Sequence, residues 1–279
     1  MVSRQDWLTS ATQRLAEAGC EDAAFDARCL LEDFGGLPRG HRADDTRLTE
    51  AQMVLLENAL AQRAAGRPLQ YILGQWEFLS LTLKVGEGVL IPRPDTELLC
   101  ETAAQGLKGR PSPRVLDLCA GTGCVGLGVA SLVPGARVTE VELSDVALGY
   151  LKQNVAAYPA YDVTVRQADV LADYAAFTDT YDAILSNPPY IPTGDLAGLQ
   201  REVQREPKMA LDGAADGLLF YRTIAEHWCE KLAPGGFCAV EVGVDQATDV
   251  AALFTASGLE NTEIFKDLGG IDRVVVARK

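Results

Sequence analysis

Short apolar segments rich in Val, Ile and Leu alternate with segments of helical period from Arg114 to the end of the chain. Such alternation predicts an α/β fold, in which an open and mainly parallel sheet carries helices on both faces. The last two strands are joined through Gly269-Gly270, and we expect them to pair antiparallel. The predicted helices lie at about 124–132, 145–157, 216–231 and 245–256. The predicted strands lie at 114–118, 137–142, 162–168, 181–186, 236–243, 261–267 and 272–278.

The first 75 residues show helical spacing instead, with almost no strand pattern. Thr49 and Gln52 form a capping-box pair at the start of a third helical segment. A two-residue period follows, which predicts strands at 79–85 and 89–91. We therefore predict three parts, a helical domain at 1–75, a linking β-hairpin at 76–94 and a sheet domain at 95–279.

Composition narrows the class of function. Lys and Arg number 25 against 39 Asp and Glu, which gives a net charge of −14. This acid excess argues against direct nucleic-acid binding, which requires a basic surface. Two histidines and seven cysteines without a CxxC pair predict no metal site and no disulfide framework, but reduced thiols in the cytoplasm. No apolar run reaches the roughly 20 residues of a membrane span, so we expect no membrane partner.

The first strand of the sheet domain runs into a glycine-rich turn. Asp117 lies near the end of the strand, and Cys119-Ala120-Gly121-Thr122-Gly123 follows. Glycines allow positive φ and let a ligand approach the backbone closely. With Gly126, the spacing also fits the GxGxxG pattern of dinucleotide sites. A carboxylate at Asp117 would repel a pyrophosphate but suits a cationic ammonium, such as the methionine end of S-adenosylmethionine (SAM); a purely structural turn is the alternative.

The next two strands also end in acids. Glu142 lies about 20 residues after the glycines, a position from which an acid can accept hydrogen bonds from both ribose hydroxyls. Asp169 could accept a hydrogen bond from an adenine amine, with Val170 against the ring, although a helix N-cap explains Asp169 alone equally well. Acids at three successive strand ends together favour a cationic, ribose-bearing cofactor.

The fourth strand ends in Asn187-Pro188-Pro189-Tyr190, the most specific signal in the chain. Two consecutive prolines, each with a fixed φ and no N–H, make a stiff loop. The Asn187 side-chain oxygen and the Pro188 carbonyl could each accept one hydrogen from a substrate NH₂ group, and Tyr190 could stack on a planar group. A rigid turn without a binding role is the alternative.

The order of glycine turn, two acids and NPPY resembles the class I SAM-dependent amino-methyltransferases, and further motifs resemble the HemK/PrmC family over nearly the whole chain. Members of that family methylate the side-chain amide nitrogen of the glutamine in the Gly-Gly-Gln motif of class I peptide-chain release factors. The motifs are PLQYILG from Pro68, LIPRPDTE from Leu90, DAILSNPPYI from Asp182, DGL from Asp216, EVG from Glu241 with Gln246, and DRVV from Asp272.

The resemblance implies a class I methyltransferase fold, Rossmann-like with a seven-stranded sheet, and SAM as the cofactor with S-adenosylhomocysteine as its product. It implies that residues 119–123 hold the methionine part, that Glu142 holds the ribose, and that Asp169-Val170 hold the adenine side. It also implies that residues 187–190 bind the glutamine, with Asn187, Pro188 and Tyr190 as catalytic residues, and that Asn187 contacts the cofactor as well. The helical domain would select the release factor, and the enzyme is expected to be a monomer.

Three positions depart from the family pattern. Cys119 stands at the first glycine, Ala120 stands where Thr is common, and Glu142 stands where Asp is usual. Because Cys and Ala are small and Glu keeps the charge, we expect modest changes in SAM affinity. We expect direct in-line methyl transfer without a general base, since His41 and His227 lie away from these motifs.

Other functions stay open from the residues alone. A glutamine methyltransferase of a ribosomal protein would share the IPRPDTE stretch and the helical domain. A methyltransferase of nucleic-acid bases would share NPPY but would need a basic face, whereas residues 81–279 carry 17 basic and 27 acidic groups. An NAD-binding oxidoreductase explains GxGxxG but neither Asp117 nor NPPY, and a non-catalytic binding module leaves NPPY unexplained.

Overall fold

A computed structural model describes residues 2–279, which form two compact units. The helical unit comprises the described residues up to Gln75 together with Gln200–Arg205, and the sheet unit comprises Trp76–Leu199 and Glu206–Lys279. No helix among the described residues is long and apolar enough to cross a membrane.

Segment 200–205 belongs to the helical unit although it lies far away in sequence, whereas the prediction placed it in the sheet domain. Arg63, only 7% exposed, explains the association. Its Nη1 donates to Glu202 Oε1 at 2.8 Å, while its Nε donates to Asp26 Oδ2 at 2.6 Å. A buried guanidinium needs such partners, so this contact fixes the segment on the unit.

Four helices make up the rest of the helical unit. Their inner faces bury apolar side chains at helical spacing, including Trp7, Ala11 and Leu15 on the first helix. The predicted capping box is confirmed, because Thr49 Oγ1 accepts from the Gln52 N–H at 3.2 Å and the Thr49 N–H donates to Gln52 Oε1 at 3.0 Å. The helices are α1 (Arg4–Glu17), α2 (Ala23–Phe34), α3 (Glu50–Ala64) and α4 (Leu69–Leu73).

A two-stranded hairpin is made of β1 (Gln75–Phe78), whose first residue belongs to the helical unit, and β2 (Leu81–Lys84). The predicted strand at 79–85 contains β2, but the predicted partner strand at 89–91 is wrong, because those residues form no strand. The period-two burial of Leu81 and Leu83 is present, but the pairing partner precedes this strand and does not follow it. The turn falls at Leu79-Ser80, where Leu79 has a φ of 50°.

A seven-stranded sheet forms the core of this unit, as the sequence predicts. Its order is β5-β4-β3-β6-β7-β9-β8, with parallel pairing from β5 to β7 and antiparallel pairing of β7 with β9 and of β9 with β8. The strands are β3 (Arg114–Leu118), β4 (Arg137–Glu142), β5 (Asp162–Gln167), β6 (Tyr181–Ser186), β7 (Leu232–Glu241), β8 (Glu260–Lys266) and β9 (Asp272–Arg278).

Helices cover both faces of this sheet over two apolar cores. The predicted single helix at 216–231 is wrong in detail: Asp216 and Gly217 form a turn, and the helix continues after Thr223 as a π turn and a 3₁₀ turn. Gly217 has a φ of 74°, which excludes it from a helix. The helices are α5 (Glu97–Gly106), α6 (Cys124–Leu132), α7 (Asp145–Ala157), α8 (Leu219–Thr223) and α9 (Ala247–Ala256).

The strand order reverses between β3 and β6. The chain moves outward from β3 to β4 and β5 on one side, and from β6 to β7 on the other. In open α/β sheets, ligands bind beyond the carboxyl ends of the strands at such a switch point. The glycine turn follows β3 and the NPPY loop follows β6, so topology alone brings the two motifs to one crevice.

Candidate active site

One cavity of about 500 Å³ is lined wholly by residues of the sheet unit. Its wall contains Gly121 after β3, Glu142 at the end of β4, Asp169 after β5 and Asn187 after β6. Each of these four residues lies at or just after the carboxyl end of a parallel strand. The cavity therefore joins the predicted cofactor motifs to the NPPY loop.

The glycine turn depends on left-handed backbone. Cys119, Gly121 and Gly123 have φ values of 61°, 57° and 82°. A residue with a Cβ is disfavoured there by about 1–2 kcal/mol, which explains why the family pattern has glycine where Cys119 stands. A Cβ at Gly121 would meet only Val89, at 3.9 Å, so the bare backbone at this point leaves room for a ligand.

Glu142 is a buried anchor for that turn. Its Oε2 accepts from the Gly121 N–H at 2.8 Å, and its Oε1 accepts from the Leu143 and Ser144 N–H groups at 2.9 and 2.7 Å. A carboxylate offers about four acceptor positions, so about one is left for a ligand. The predicted contact of Glu142 with a ribose stays a prediction, and this arrangement suits one hydroxyl and not two.

Asp117 does not line the cavity, although the sequence analysis assigned it to the cofactor. It is 1% exposed and lies beneath the turn, where its Oδ2 accepts from the Gly126 N–H at 2.9 Å at the start of α6. Burial, reinforced by the negative charge of Glu142, raises the pKa of the Asp117 carboxyl to about 8. Its direct role here is to hold the beginning of the helix that follows the turn.

A second buried acid, Glu140, lies beside Asp117 in the register of β3 and β4. It is fully buried, and neither carboxylate oxygen accepts a hydrogen bond. The N–H of Leu127 is occupied by the Gly123 carbonyl at 3.0 Å. Burial, together with the Asp117 carboxylate, raises the pKa of Glu140 well above its ordinary value of 4.5.

Glu140 also explains two glycines of the GxGxxG spacing. A Cβ at Gly126 would lie 2.3 Å from Glu140 Oε1, and a Cβ at Gly123 would lie 2.7 Å from Glu140 Oε2. The spacing therefore serves packing on a buried glutamate, and dinucleotide binding is not needed to account for it. Glu140 was not among the predicted site residues, although an acid at a buried position of an apolar strand was the signal present in the sequence.

Asp169 and Val170 reach the cavity from the end of β5. Asp169 Oδ1 accepts from the Leu171 N–H at 2.8 Å, which is a local turn contact and not a helix N-cap. Among the described residues, none donates to Asp169 Oδ2. Val170 is buried, and its carbonyl accepts from Trp228 Nε1 at 2.9 Å. The turn thus holds one carboxylate oxygen and one apolar side chain at the cavity.

Asn187 is half-buried in the cavity wall. Its Nδ2 donates to Thr96 Oγ1 at 3.0 Å. The amide nitrogen is therefore engaged by the protein, and the amide oxygen is the end left for a ligand. Thr96, which lies in the LIPRPDTE motif, was not predicted to be a neighbour of this loop.

The NPPY loop is held by the other family-like motifs. The Tyr190 carbonyl accepts from Gln246 Nε2 at 2.9 Å, and a Cβ at Gly217 would lie 2.3 Å from the same carbonyl. A Cβ at Gly243 would lie 3.0 Å from the Tyr190 ring. Gln246, Gly217 and Gly243 belong to motifs that resemble the family but have no evident chemical role. Their contacts show that they support this loop.

The structure brings most of the predicted site residues together. The cavity wall does not include Asp117, Gly123, Pro188 or Tyr190. The Tyr190 ring packs against the core and its hydroxyl donates to Glu241 Oε1 at 3.4 Å, so its predicted stacking on a planar group stays a prediction. The residues that do line the cavity are Cys119, Ala120, Gly121, Thr122, Glu142, Asp169, Val170, Asn187 and Pro189.

Two family models match parts of the chain. Residues 6–74 match the family model described as the PrmC N-terminal domain, and residues 94–205 match the model described as the methyltransferase small domain. A solved structure of the T. thermophilus 16S rRNA N2 G1207 methyltransferase, in complex with AdoMet and guanosine, superposes with a TM-score of 0.52. At 22% identity, covering 74% of this chain and 49% of that one, it shows the class I methyltransferase fold alone.

Two curated relatives extend over nearly the whole chain. The release factor glutamine methyltransferase of Caulobacter vibrioides is 36% identical over 276 residues, which is 97% of this chain and 94% of that protein. The release factor glutamine methyltransferase of Geobacter sulfurreducens is 40% identical over 267 residues, which is 95% of this chain and 92% of that protein. This identity over both units confirms the resemblance drawn from the motifs, and the chain belongs to the release factor glutamine methyltransferase family.

Proposed function

We propose that this enzyme transfers a methyl group from SAM to the side-chain amide nitrogen of the glutamine in the Gly-Gly-Gln motif of class I release factors. The observation that carries the proposal is that Asn187 of the NPPY loop shares one cavity with the glycine turn and Glu142. A methyl donor and an amide nitrogen bound at these two motifs would lie in one enclosed space. The named activity of the relatives supports the same reaction.

The residues present fit SAM. The glycine turn exposes backbone at Gly121 for the methionine part, and Glu142 keeps about one acceptor position for a ribose hydroxyl. Asp169 Oδ2 would accept from the adenine amine, with Val170 against the ring. When bound, SAM supplies an electrophilic methyl group on a cationic sulfonium.

The protein's task is to present a weak nucleophile. An amide nitrogen is a poor nucleophile because its lone pair is delocalised into the carbonyl. Asn187 Oδ1 would accept one hydrogen of the substrate NH₂ and orient the nitrogen. The predicted contact of the Pro188 carbonyl with the second hydrogen stays a prediction, because Pro188 does not line the cavity. Orientation can lower a barrier by roughly 7–11 kcal/mol in favourable cases. Asn187 Oδ1 would also stabilise positive charge that develops on the nitrogen.

No histidine is available as a general base at the cavity. His227 stacks on Tyr174 with ring centroids 3.9 Å apart, and His41 belongs to the helical unit. Neither residue lines the cavity. We infer that the proton leaves to water during or after the transfer.

The helical unit would recognise the release factor. A single glutamine offers too little surface for a catalytic cavity to select one protein among many, and residues 6–74, which match the model described as the PrmC N-terminal domain, offer a further surface. We expect kcat/KM to be higher for an intact release factor than for a short Gly-Gly-Gln peptide. We also assign the reaction to the cytoplasm, where release factors act and where the seven cysteines, all free, would stay reduced.

Incubation with methyl-labelled SAM and a panel of release factors tests the proposal. Label should enter the factor at the glutamine, and a Gln→Ala change in the Gly-Gly-Gln motif should abolish incorporation. A ribosomal-protein fraction and a structured RNA belong in the same panel as competing substrates. Label in either of these, with none in the release factors, would refute the proposed substrate.

A further inference from the structure

The hydrogen bond from Asn187 does not end at Thr96. Thr96 is fully buried, and its Oγ1 donates to Glu241 Oε2 at 2.5 Å. Glu241, the last residue of β7, is 1% exposed. A chain of two hydrogen bonds therefore runs from the cavity wall to a buried carboxylate.

The direction of this chain is set by chemistry. A carboxylate can only accept, so the single hydroxyl hydrogen of Thr96 must point to Glu241. The Thr96 oxygen is then left as an acceptor, which only the NH₂ end of the Asn187 amide can use. An amide with its two ends exchanged would set two acceptors, Oδ1 and Oγ1, against each other.

We propose that Glu241 is a positioning residue that acts through Thr96 to keep the oxygen of the Asn187 amide turned to the cavity. The inference rests on the proposed function, in which that oxygen accepts a hydrogen from the substrate amide. A reversed Asn187 would present NH₂ to NH₂, which neither binds nor orients the nucleophile. Glu241 touches no reacting atom and exerts its effect only through this orientation.

The charge state of Glu241 should affect the orientation of Asn187. Burial raises the pKa of the Glu241 carboxyl to about 7, against the lowering effects of the Thr96 hydrogen bond and the Arg273 charge. Once protonated, the carboxyl carries its own hydrogen and no longer requires Thr96 to donate. The charged and titratable groups near it are Asp95 before α5, Tyr190 of the NPPY loop, Tyr221 of α8, Arg273 of β9, and the thiols of Cys100 and Cys124.

A matched pair at Thr96 separates orientation from packing. Thr96→Val keeps the shape and removes the hydroxyl, whereas Thr96→Ser keeps the hydroxyl and removes a methyl group. If Thr96 relays orientation, kcat should fall about 10- to 100-fold in Thr96→Val and stay within about threefold of wild type in Thr96→Ser. A merely structural Thr96 would give the opposite order. SAM affinity, measured by calorimetry, should change less than about twofold in both variants, since neither touches the glycine turn.

Nuclear magnetic resonance of the ligand-free protein provides a readout that needs no substrate. The side-chain NH₂ signals of Asn187, identified by their loss in Asn187→Asp, should show one hydrogen-bonded proton in wild type and Thr96→Ser, but not in Thr96→Val. In wild type these signals should titrate near pH 7, and in Glu241→Gln they should not. kcat of wild type should fall below that pH, with a flat profile in Glu241→Gln.

The outcomes distinguish this inference from the proposed function. Signals of Asn187 that are identical in wild type, Thr96→Val and Glu241→Gln would overturn the positioning role, whatever the substrate. A wild-type enzyme that shows the expected signals but labels no release factor would refute the substrate and leave the orientation of Asn187 supported. Should Thr96→Val fail to fold, the pH dependence of the Asn187 signals in Glu241→Gln decides alone.

Discussion

Glu241 and Glu140 lie beneath the two motifs that face the cavity, and they are held in different ways. Glu241, under the NPPY loop, accepts from Thr96 and Tyr190 on its two oxygens. Glu140, under the glycine turn, is equally buried but accepts no hydrogen bond on either oxygen. One buried acid thus orients its neighbours through hydrogen bonds, while the other fills space against glycines.

This difference separates the two ends of the site. The NPPY end depends on side-chain contacts, so a single substitution there should change turnover. The glycine turn is held by backbone N–H groups that donate to Glu142 and by close packing of its glycines against Glu140. Substitutions there should change SAM affinity or folding stability instead.

The largest effect is expected for Asn187→Ala. Removal of the acceptor that orients the substrate nitrogen should lower kcat by about 100-fold or more, the scale for the loss of one preorganised group. SAM affinity should be nearly unchanged, because Glu142 and the glycine turn keep their contacts. Methyl transfer under single-turnover conditions and calorimetric titration with SAM measure the two quantities.

Asn58→Ala is the matched control for this change, since Asn58 is exposed on α3 in the helical unit. It should leave both kcat and SAM affinity unaltered. A folded Asn187→Ala enzyme with near-normal turnover would show that the NPPY loop is only a rigid turn.

The next effect concerns stability at the glycine turn. In Gly126→Ala the new Cβ would lie 2.3 Å from Glu140 Oε1, so the helix or the buried glutamate must shift. Overpacking of this kind costs roughly 1–3 kcal/mol, which should appear as a lower free energy of unfolding in urea.

Gly149→Ala offers the contrast within the same sheet unit. Gly149 is exposed in α7, and a Cβ there would have no atom within 4 Å. Alanine at an open helix position should stabilise the protein by about 0.5–1 kcal/mol. Equal destabilisation by both changes would mean that Glu140 is not the obstacle at Gly126.

Glu142→Ala should weaken SAM binding without a primary effect on turnover at saturating SAM. Three backbone N–H groups lose their acceptor, and the turn loses the contact that fixes Gly121. We expect the dissociation constant for SAM to rise about tenfold, or about 1.4 kcal/mol. Glu260→Ala, at the exposed start of β8, removes the same charge and should leave the affinity unchanged.

The sequence predicted the sheet well because strands and helices alternate with distinct periods. In six of the seven strands, the observed first and last residues each differ from the predicted ones by no more than one position. For the strands at 181–186 and 272–278 the bounds are identical. The exception is β7, which begins at Leu232 because its first residue pairs with Tyr181 across a register shift. The predicted pairing of the hairpin was wrong because a two-residue period identifies a strand without identifying its partner.

At the site, the sequence identified the residues that face the cavity better than those that support them. Asn187, Glu142 and the glycine turn line one cavity as their order along the sheet implied. Thr96 and Glu241 are 145 residues apart, and their hydrogen bond depends on the packing of α5 against β7. Local pattern carries no information on such a contact, and the unpartnered state of Glu140 is likewise visible only in the folded chain.

The last prediction concerns the pH dependence of stability that Asp117 and Glu140 impose, with a slope of at most about 1.4 kcal/mol per pH unit for one proton. Their pKa values are raised by burial, Asp117 to about 8 from 3.8 and Glu140 well above 4.5. The folded protein therefore binds more protons than the unfolded chain above about pH 4, so the stability they contribute is lost as pH rises through about 8. Glu140→Gln should flatten this decline in urea unfolding between about pH 5 and 8, whereas Glu101→Gln, an exposed control on α5, should not. A decline that is equally steep in both variants would place the titration outside the acid pair beneath the glycine turn.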